Sequence, residues 1–317
     1  MIALTEIEAA RERITGKIRE TPMMRAAPLR TPLAENPDLW LKVESLQVSG
    51  SFKARGATNR VATLEARVLA NGLVTASGGN HGLGVAYAGW QAGAPVRVYL
   101  PKSSPEAKAA ALAEWGATVV RHGAVWDDAN QAAMEAAESE GLTYIHPFAD
   151  PTVIAGQGTI GLEVVDALPD VETIIVAIGG GGLISGVASA IKARRPRARV
   201  IGVEPVGAPT LRESVRAGQL VTLDAIETDV GVLAPRRSAE INLGIISNLV
   251  DDIVLVSDQE MLGAAKWLWG ELGIAAELGG AAAIAALQAG TIEVKQGETV
   301  CAVVCGAGDD GVIDSRA

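Results

Sequence analysis

The run Thr173-Ile174-Ile175-Val176-Ala177-Ile178 leads without a break into Gly179-Gly180-Gly181-Gly182. An apolar run with no polar alternation suits a strand covered on both faces, as parallel strands are when crossover helices flank them. Helical periodicity follows at once, from Leu183 to Arg194, so the four glycines join a strand to a helix. Without Cβ atoms such a connection can turn with φ > 0 and let several N–H groups converge on one point. At the amino end of a helix those groups make an anion site suited to a phosphate. The spacing is neither a GxGxxG dinucleotide fingerprint nor a Walker loop.

Strand and helix patterns alternate along most of the chain, which predicts an α/β protein with parallel-rich sheets flanked by helices. Helices are expected from Glu6 to Lys17, Lys53 to Ala70, Gly82 to Gln91, Pro105 to Trp115, Asp127 to Glu140 and Thr152 to Ala167. Further helices are expected from Leu183 to Arg194, Thr210 to Ala217, Asp258 to Leu272 and Gly279 to Ala289. Strands are expected at Leu39–Val43, Gly72–Ala76, Val96–Leu100, Thr118–Arg121, Thr173–Ile178, Val200–Val203, Ile253–Val256 and Thr299–Val304. The stretch from Asp224 to Asn242 shows no periodicity and reads as an irregular excursion.

A chain of 317 residues, 49% of them hydrophobic, can bury a large core in one or two domains. The formal charge of −10 argues against nucleic acid or an anionic membrane as partner. No uninterrupted apolar run reaches about 18 residues. The opening Thr5-Glu6-Ile7-Glu8 is unlike a signal peptide, so a cytoplasmic protein is expected. Cys301 and Cys305 lie four apart in one strand, roughly 13 Å from each other, too far for a disulfide or a shared metal ion.

Three segments carry the chemistry. In Ser49-Gly50-Ser51-Phe52-Lys53-Ala54-Arg55-Gly56-Ala57 a lysine sits in the first turn of a helix, where the dipole disfavours an ammonium. Such a lysine suits the neutral form, which attacks a carbonyl or accepts a proton, although a solvated helix lysine has the same pattern. Ser77-Gly78-Gly79-Asn80-His81-Gly82 is a second strand–helix loop, fit to bind an anion such as a substrate carboxylate, and Asn80 offers an amide donor. His81 reads either as a structural hydrogen-bonding residue or as an acid–base group. Cys305 closes the last strand, and burial alone would account for it.

These segments resemble the fold-type II pyridoxal-phosphate enzymes, in the branch of serine/threonine dehydratases and serine racemases. The similarity runs from about Arg13 through Gly308, with all three motifs in the family's order and spacing. The resemblance implies a tryptophan synthase β-like fold of two domains: residues 1–70 with 150–317 as the large cofactor-binding domain, and 71–149 as a smaller insertion. It implies pyridoxal 5'-phosphate as cofactor, with Lys53 as its Schiff-base lysine and the α-proton base. Phe52, Asn80, Gly179, Gly180, Gly181, Gly182, Leu183 and Cys305 would contact the cofactor. Ser77, Gly78, Gly79, Asn80 and His81 would hold the substrate.

The implied reaction is β-elimination from a β-hydroxy-α-amino acid such as L-threonine or L-serine, giving a 2-oxo acid and ammonia. Racemisation, β-replacement and elimination from another hydroxy amino acid are the alternatives. The resemblance also implies a homodimer acting on a small amino acid. Some relatives bind a divalent cation at a segment matching Glu204 and Ala208, but Thr210 replaces an aspartate there, so no metal is expected. Gly78 stands where racemases of the family carry a serine, which favours elimination.

Overall fold

In a computed structural model, which describes residues 1–313, two sheets share the chain. The larger has the order β1-β2-β10-β7-β8-β9, formed by Met23–Arg25, Asp38–Val43, Thr299–Val304, Thr173–Ala177, Arg199–Pro205 and Asp252–Val256. The smaller has the order β5-β4-β3-β6, formed by Thr118–Arg121, Val96–Leu100, Leu73–Ala76 and Thr143–Tyr144. Every pairing is parallel except β1 against β2. All five residues of β7 are buried, as its unbroken apolar composition requires. Both cysteines are free and buried.

The Lys53–Ala70 pattern resolves into two helices, Lys53–Ala62 and Ala66–Asn71. Thr63 closes the first, and Glu65, in extended backbone, opens the second. Apolar residues continue at helical spacing through Ala57, Val61, Leu64 and Val68, but Leu64 and Val68 are only half-buried. β1 lies between Pro22 and Pro28 and has three residues, and β6 has two, too few for any pattern. The excursion gives way to a helix at Glu240–Leu249, two residues before its expected end. Its Gly231–Leu233 segment is a single 3₁₀ turn.

Parallel order places the connecting loops at the carboxyl ends of the strands, where open α/β sheets bind ligands. The tetraglycine follows β7, Cys305 follows β10, and Ser77 to Gly79 follow β3. The core under the smaller sheet includes Ala57 and Val61 of the lysine helix and Val153 beyond the small sheet. The lysine helix therefore packs against both layers of the molecule.

Candidate active site

Lys53 is the first residue of its helix, and its Nζ donates to the carbonyl of Pro147 at 2.8 Å. Burial lowers the amine from its usual range to about 8, opposed by the nearby Cys305 and Glu277. A substantial neutral fraction is thus present near physiological pH. The Phe52 ring centre lies 5.1 Å from Nζ. Ser49 and Ser51 in the same segment carry buried hydroxyls with no partner among the described residues.

Each glycine of the tetraglycine has a specific close neighbour. A Cβ at Gly179 would meet the Val232 carbonyl at 2.8 Å, and one at Gly180 the Phe148 ring at 2.2 Å. At Gly181, where φ is +93°, a Cβ would meet Leu211 at 2.7 Å; at Gly182 it would meet Phe148 Cα at 2.9 Å. The Gly180 carbonyl is turned away by bonds from Ser238 Oγ and Asn242 Nδ2. Among the described residues no acceptor takes the N–H of Gly180, Gly181, Gly182 or Leu183. These donors stand at the amino end of the 13-residue Gly182–Arg194 helix, a fit for an anion.

The second loop has the same character. Gly79 donates to Ser77 Oγ at 3.3 Å, while the N–H groups of Gly78, Asn80 and His81 meet no acceptor among the described residues. A Cβ at Gly78 would touch Leu100 at 3.1 Å and the stem of Lys108 at 3.4 Å. The helix begins at Asn80 rather than Gly82. His81 is buried, its Nε2 is paired with the Ile145 carbonyl at 2.9 Å, and burial pushes it down to about 3. Its ring is therefore a structural neutral imidazole, and only its backbone faces the anion role.

Asn80 Nδ2 donates to Glu277 Oε1 at 2.6 Å. Glu277, which no motif singles out, joins the site's parts: its N–H donates to the Gly306 carbonyl, and a Cβ at Gly306 would meet Oε1 at 2.1 Å. Burial raises its carboxyl to about 7 against the pull of the Asn80 bond. Its one sequence signal is a lone carboxylate before the glycine pair in Ala276-Glu277-Leu278-Gly279-Gly280. Cys305 Sγ contacts the Gly279 carbonyl at 3.5 Å, and burial keeps its thiol protonated. Its own carbonyl accepts from Phe52, which ties it to the lysine segment.

Glu204 lies outside this cluster of contacts. Both its oxygens accept backbone N–H groups, from Leu211 and Arg212, at 2.8 Å, so it caps the Thr210–Ala217 helix. Ala208 is buried near it, and Thr210 Oγ1 donates to Pro235. Among the described residues no group of three or more His, Cys, Asp and Glu side chains is placed to hold a metal. Asp310 is exposed and accepts from the N–H of Leu278 at the start of the Leu278–Gln288 helix.

Residues 14–306 match the family described as pyridoxal-phosphate dependent enzyme. The chain belongs to that family. An L-threonine ammonia-lyase of Geobacter sulfurreducens is 39% identical over 301 residues, covering 95% of this chain and 74% of that one. The structure of a processed threonine deaminase isoform 2 from Solanum lycopersicum superposes with a TM-score of 0.90 at 35% identity, covering 96% of this chain and 83% of that one. A maize serine racemase gives a TM-score of 0.90 at 31% identity, covering 97% and 94%. The cofactor of the family is pyridoxal phosphate, and the residues present fit it: a lysine with a lowered pKa, N–H donors without acceptors, and buried hydroxyls without partners.

Proposed function

We propose that this pyridoxal-phosphate enzyme is an ammonia-lyase that removes water and ammonia from L-threonine or L-serine, leaving a 2-oxo acid. The observation that carries the reading is the Lys53 amine, held at the Pro147 carbonyl with its pKa lowered to about 8, in a chain similar to threonine ammonia-lyases along nearly its whole length. Bound pyridoxal phosphate supplies the electron sink that makes an amino acid's α-proton removable.

The chain's residues supply the rest. The N–H groups of Gly180, Gly181, Gly182 and Leu183 bind the phosphate, and Phe52, Gly179, Asn80 and Cys305 hold the ring. Ser77, Gly78, Gly79, Asn80 and the His81 backbone receive the substrate carboxylate. Lys53 Nζ carries the α-proton. Glu277 fixes the Asn80 amide by a 2.6 Å bond. The buried Cys305 thiol is a weak donor, so beside the bound ring it would leave the cofactor a modest electron sink, which suits loss of a β-leaving group.

Racemisation needs a second proton carrier on the face opposite the lysine. Gly78, at the matching position, has no side chain to provide one. Chiral chromatography of unreacted L-threonine and L-serine, run beside an assay for 2-oxo acid, tests the reading. The expected result is 2-oxobutyrate or pyruvate with no comparable D-enantiomer. D-amino acid accumulating as fast as 2-oxo acid would overturn it.

The separate sheets support reading residues 1–70 with 150–317 as the large domain and 71–149 as the small one. The net charge of −10 supports a partner list without nucleic acid or membrane, and no helix among the described residues is long and apolar enough to cross a bilayer. The reading includes the homodimer that the family resemblance implies and the cytoplasmic location expected from the opening residues, and light scattering tests the dimer.

A further inference from the structure

The chain has two phenylalanines, and both belong to segments that meet the Lys53 amine. One is Phe52, already described; the other is Phe148, next to the Pro147 carbonyl that accepts from Nζ. Phe148 is half-buried and belongs to none of the hydrophobic clusters among the described residues. Core packing therefore does not explain it.

It is nevertheless firmly held. Its N–H donates to His146 Nδ1 at 3.2 Å, and its carbonyl accepts from Asn242 Nδ2 at 3.1 Å. Its ring stands edge-on to His146, with centroids 4.7 Å apart at 86°. Burial takes His146 down to about 4, so this imidazole is a neutral acceptor. Ala149 also donates to the same Nδ1, at 2.9 Å, so neither the imidazole nitrogen nor the Asn242 amide is idle. The ring lies against Gly180. It thus spans from the amine's carbonyl anchor to the phosphate loop.

We propose that Phe148 sets which amino-acid side chain the site accepts, as an apolar wall beside the β-carbon. Hydrogen or methyl on that carbon gains contact with the ring. A second carboxylate laid there loses hydration against an apolar ring. The inference rests on the lyase reading and narrows it to threonine and serine, against acidic hydroxy amino acids.

The test uses holoenzyme titrated with L-2-aminobutyrate and with L-aspartate, which have no β-hydroxyl to eliminate. Binding is read from the absorbance change of the bound cofactor. The parent should bind L-2-aminobutyrate at least ~10-fold more tightly than L-aspartate, since one apolar group in a fitted pocket is worth 10-fold or more. Phe148→Gln should shrink that ratio by about 10-fold, whereas Phe148→Leu, still apolar, should keep it. The ratio of kcat/KM for L-threonine over 3-hydroxyaspartate should move in parallel. If Phe148→Gln does not retain cofactor, Phe148→Tyr, with one hydroxyl at the ring's tip, carries the same comparison. An unchanged ratio in the polar variant, or equal loss in the polar and leucine variants, overturns the inference. Absence of 2-oxo acid from every β-hydroxy amino acid overturns instead the lyase reading beneath it.

Discussion

At the scale of single residues, Lys53 and Glu277, the two site groups whose burial shifts them toward neutral pH, differ in how visible they are in the sequence. Lys53 announces itself because a cation in the first turn of a helix needs a reason. Its burial then lowers it to about 8, against a usual 10.5. In cofactor-free protein its acylation by an amine-selective reagent should therefore rise with pH through about 8, well below the exposed lysines, because the neutral amine is the reactive form. Peptide mass spectrometry of trace-labelled protein measures this; a midpoint with the surface lysines would contradict the desolvated site. Lys53→Ala should lower turnover by ~10³-fold or more, and borohydride should no longer fix cofactor to the chain. Glu277 was not legible, since one carboxylate between Ala276 and Leu278 forms no motif, and only the fold brings it to Asn80 and Gly306. Its carboxyl is raised to about 7 from 4.5, so the folded chain binds the extra proton between those values. Its contribution to stability is fully present below about 4.5 and falls as pH rises through 7. Glu277→Gln should flatten that part of the stability–pH curve of cofactor-free protein, read from unfolding midpoints at pH 5 and pH 8. Equal slopes in parent and variant would argue against a raised carboxyl.

At the scale of elements, the strand-to-helix junctions were the most legible part of the chain, because glycine runs after apolar strands have few uses. Their packing was not. In the fold, Val232, Phe148 and Leu211 each sit where a side chain would go. A substitution there thus disturbs the protein as well as the phosphate site proposed there. Gly181→Ala places a Cβ on left-handed backbone and 2.7 Å from Leu211. We expect it to destabilise cofactor-free protein by ~2–4 kcal/mol, from conformation and overpacking together, in addition to weakening cofactor binding. Urea denaturation without cofactor measures the first effect and cofactor titration the second. A variant as stable as the parent would show that the loop relaxes freely. The missed elements have equally physical causes. β6 gains its place from pairing with β3, and Glu240–Leu249 carries Glu240, Asn242 and Gly244 early in the helix, which obscures its apolar face.

At the scale of the whole molecule, the lysine helix is fixed from two sides. Ala57 and Val61 enter the core of the smaller sheet. Arg55, fully buried, faces the other way into an ionic cluster with Glu44, Glu163 and Lys42. Its guanidinium donates to Glu44 at 2.8 Å through both Nε and Nη2, and to Glu163 at 2.5 Å and 2.8 Å. Thr21 and Thr159 bond to the same cluster. Burial alone would raise the Glu44 carboxyl, but Arg55 outweighs it and holds Glu44 ionised. Two cations face two anions here, so removing Arg55 leaves Glu44 buried in an unbalanced cluster. Losing one partner of such a pair costs about 3–5 kcal/mol, whereas replacing both by apolar groups is often close to neutral. Arg55→Met should accordingly destabilise the protein by ~3–5 kcal/mol. Adding Glu44→Gln, which removes the stranded charge, should restore part of that loss, a coupling seen only between groups in contact. Arg55 is two residues from Lys53, so the single variant should also shift the pH at which Lys53 becomes reactive, and the double variant should shift it less. Strictly additive stabilities, with Lys53 titrating as in the parent, would mean that the cluster is incidental to the position of the amine.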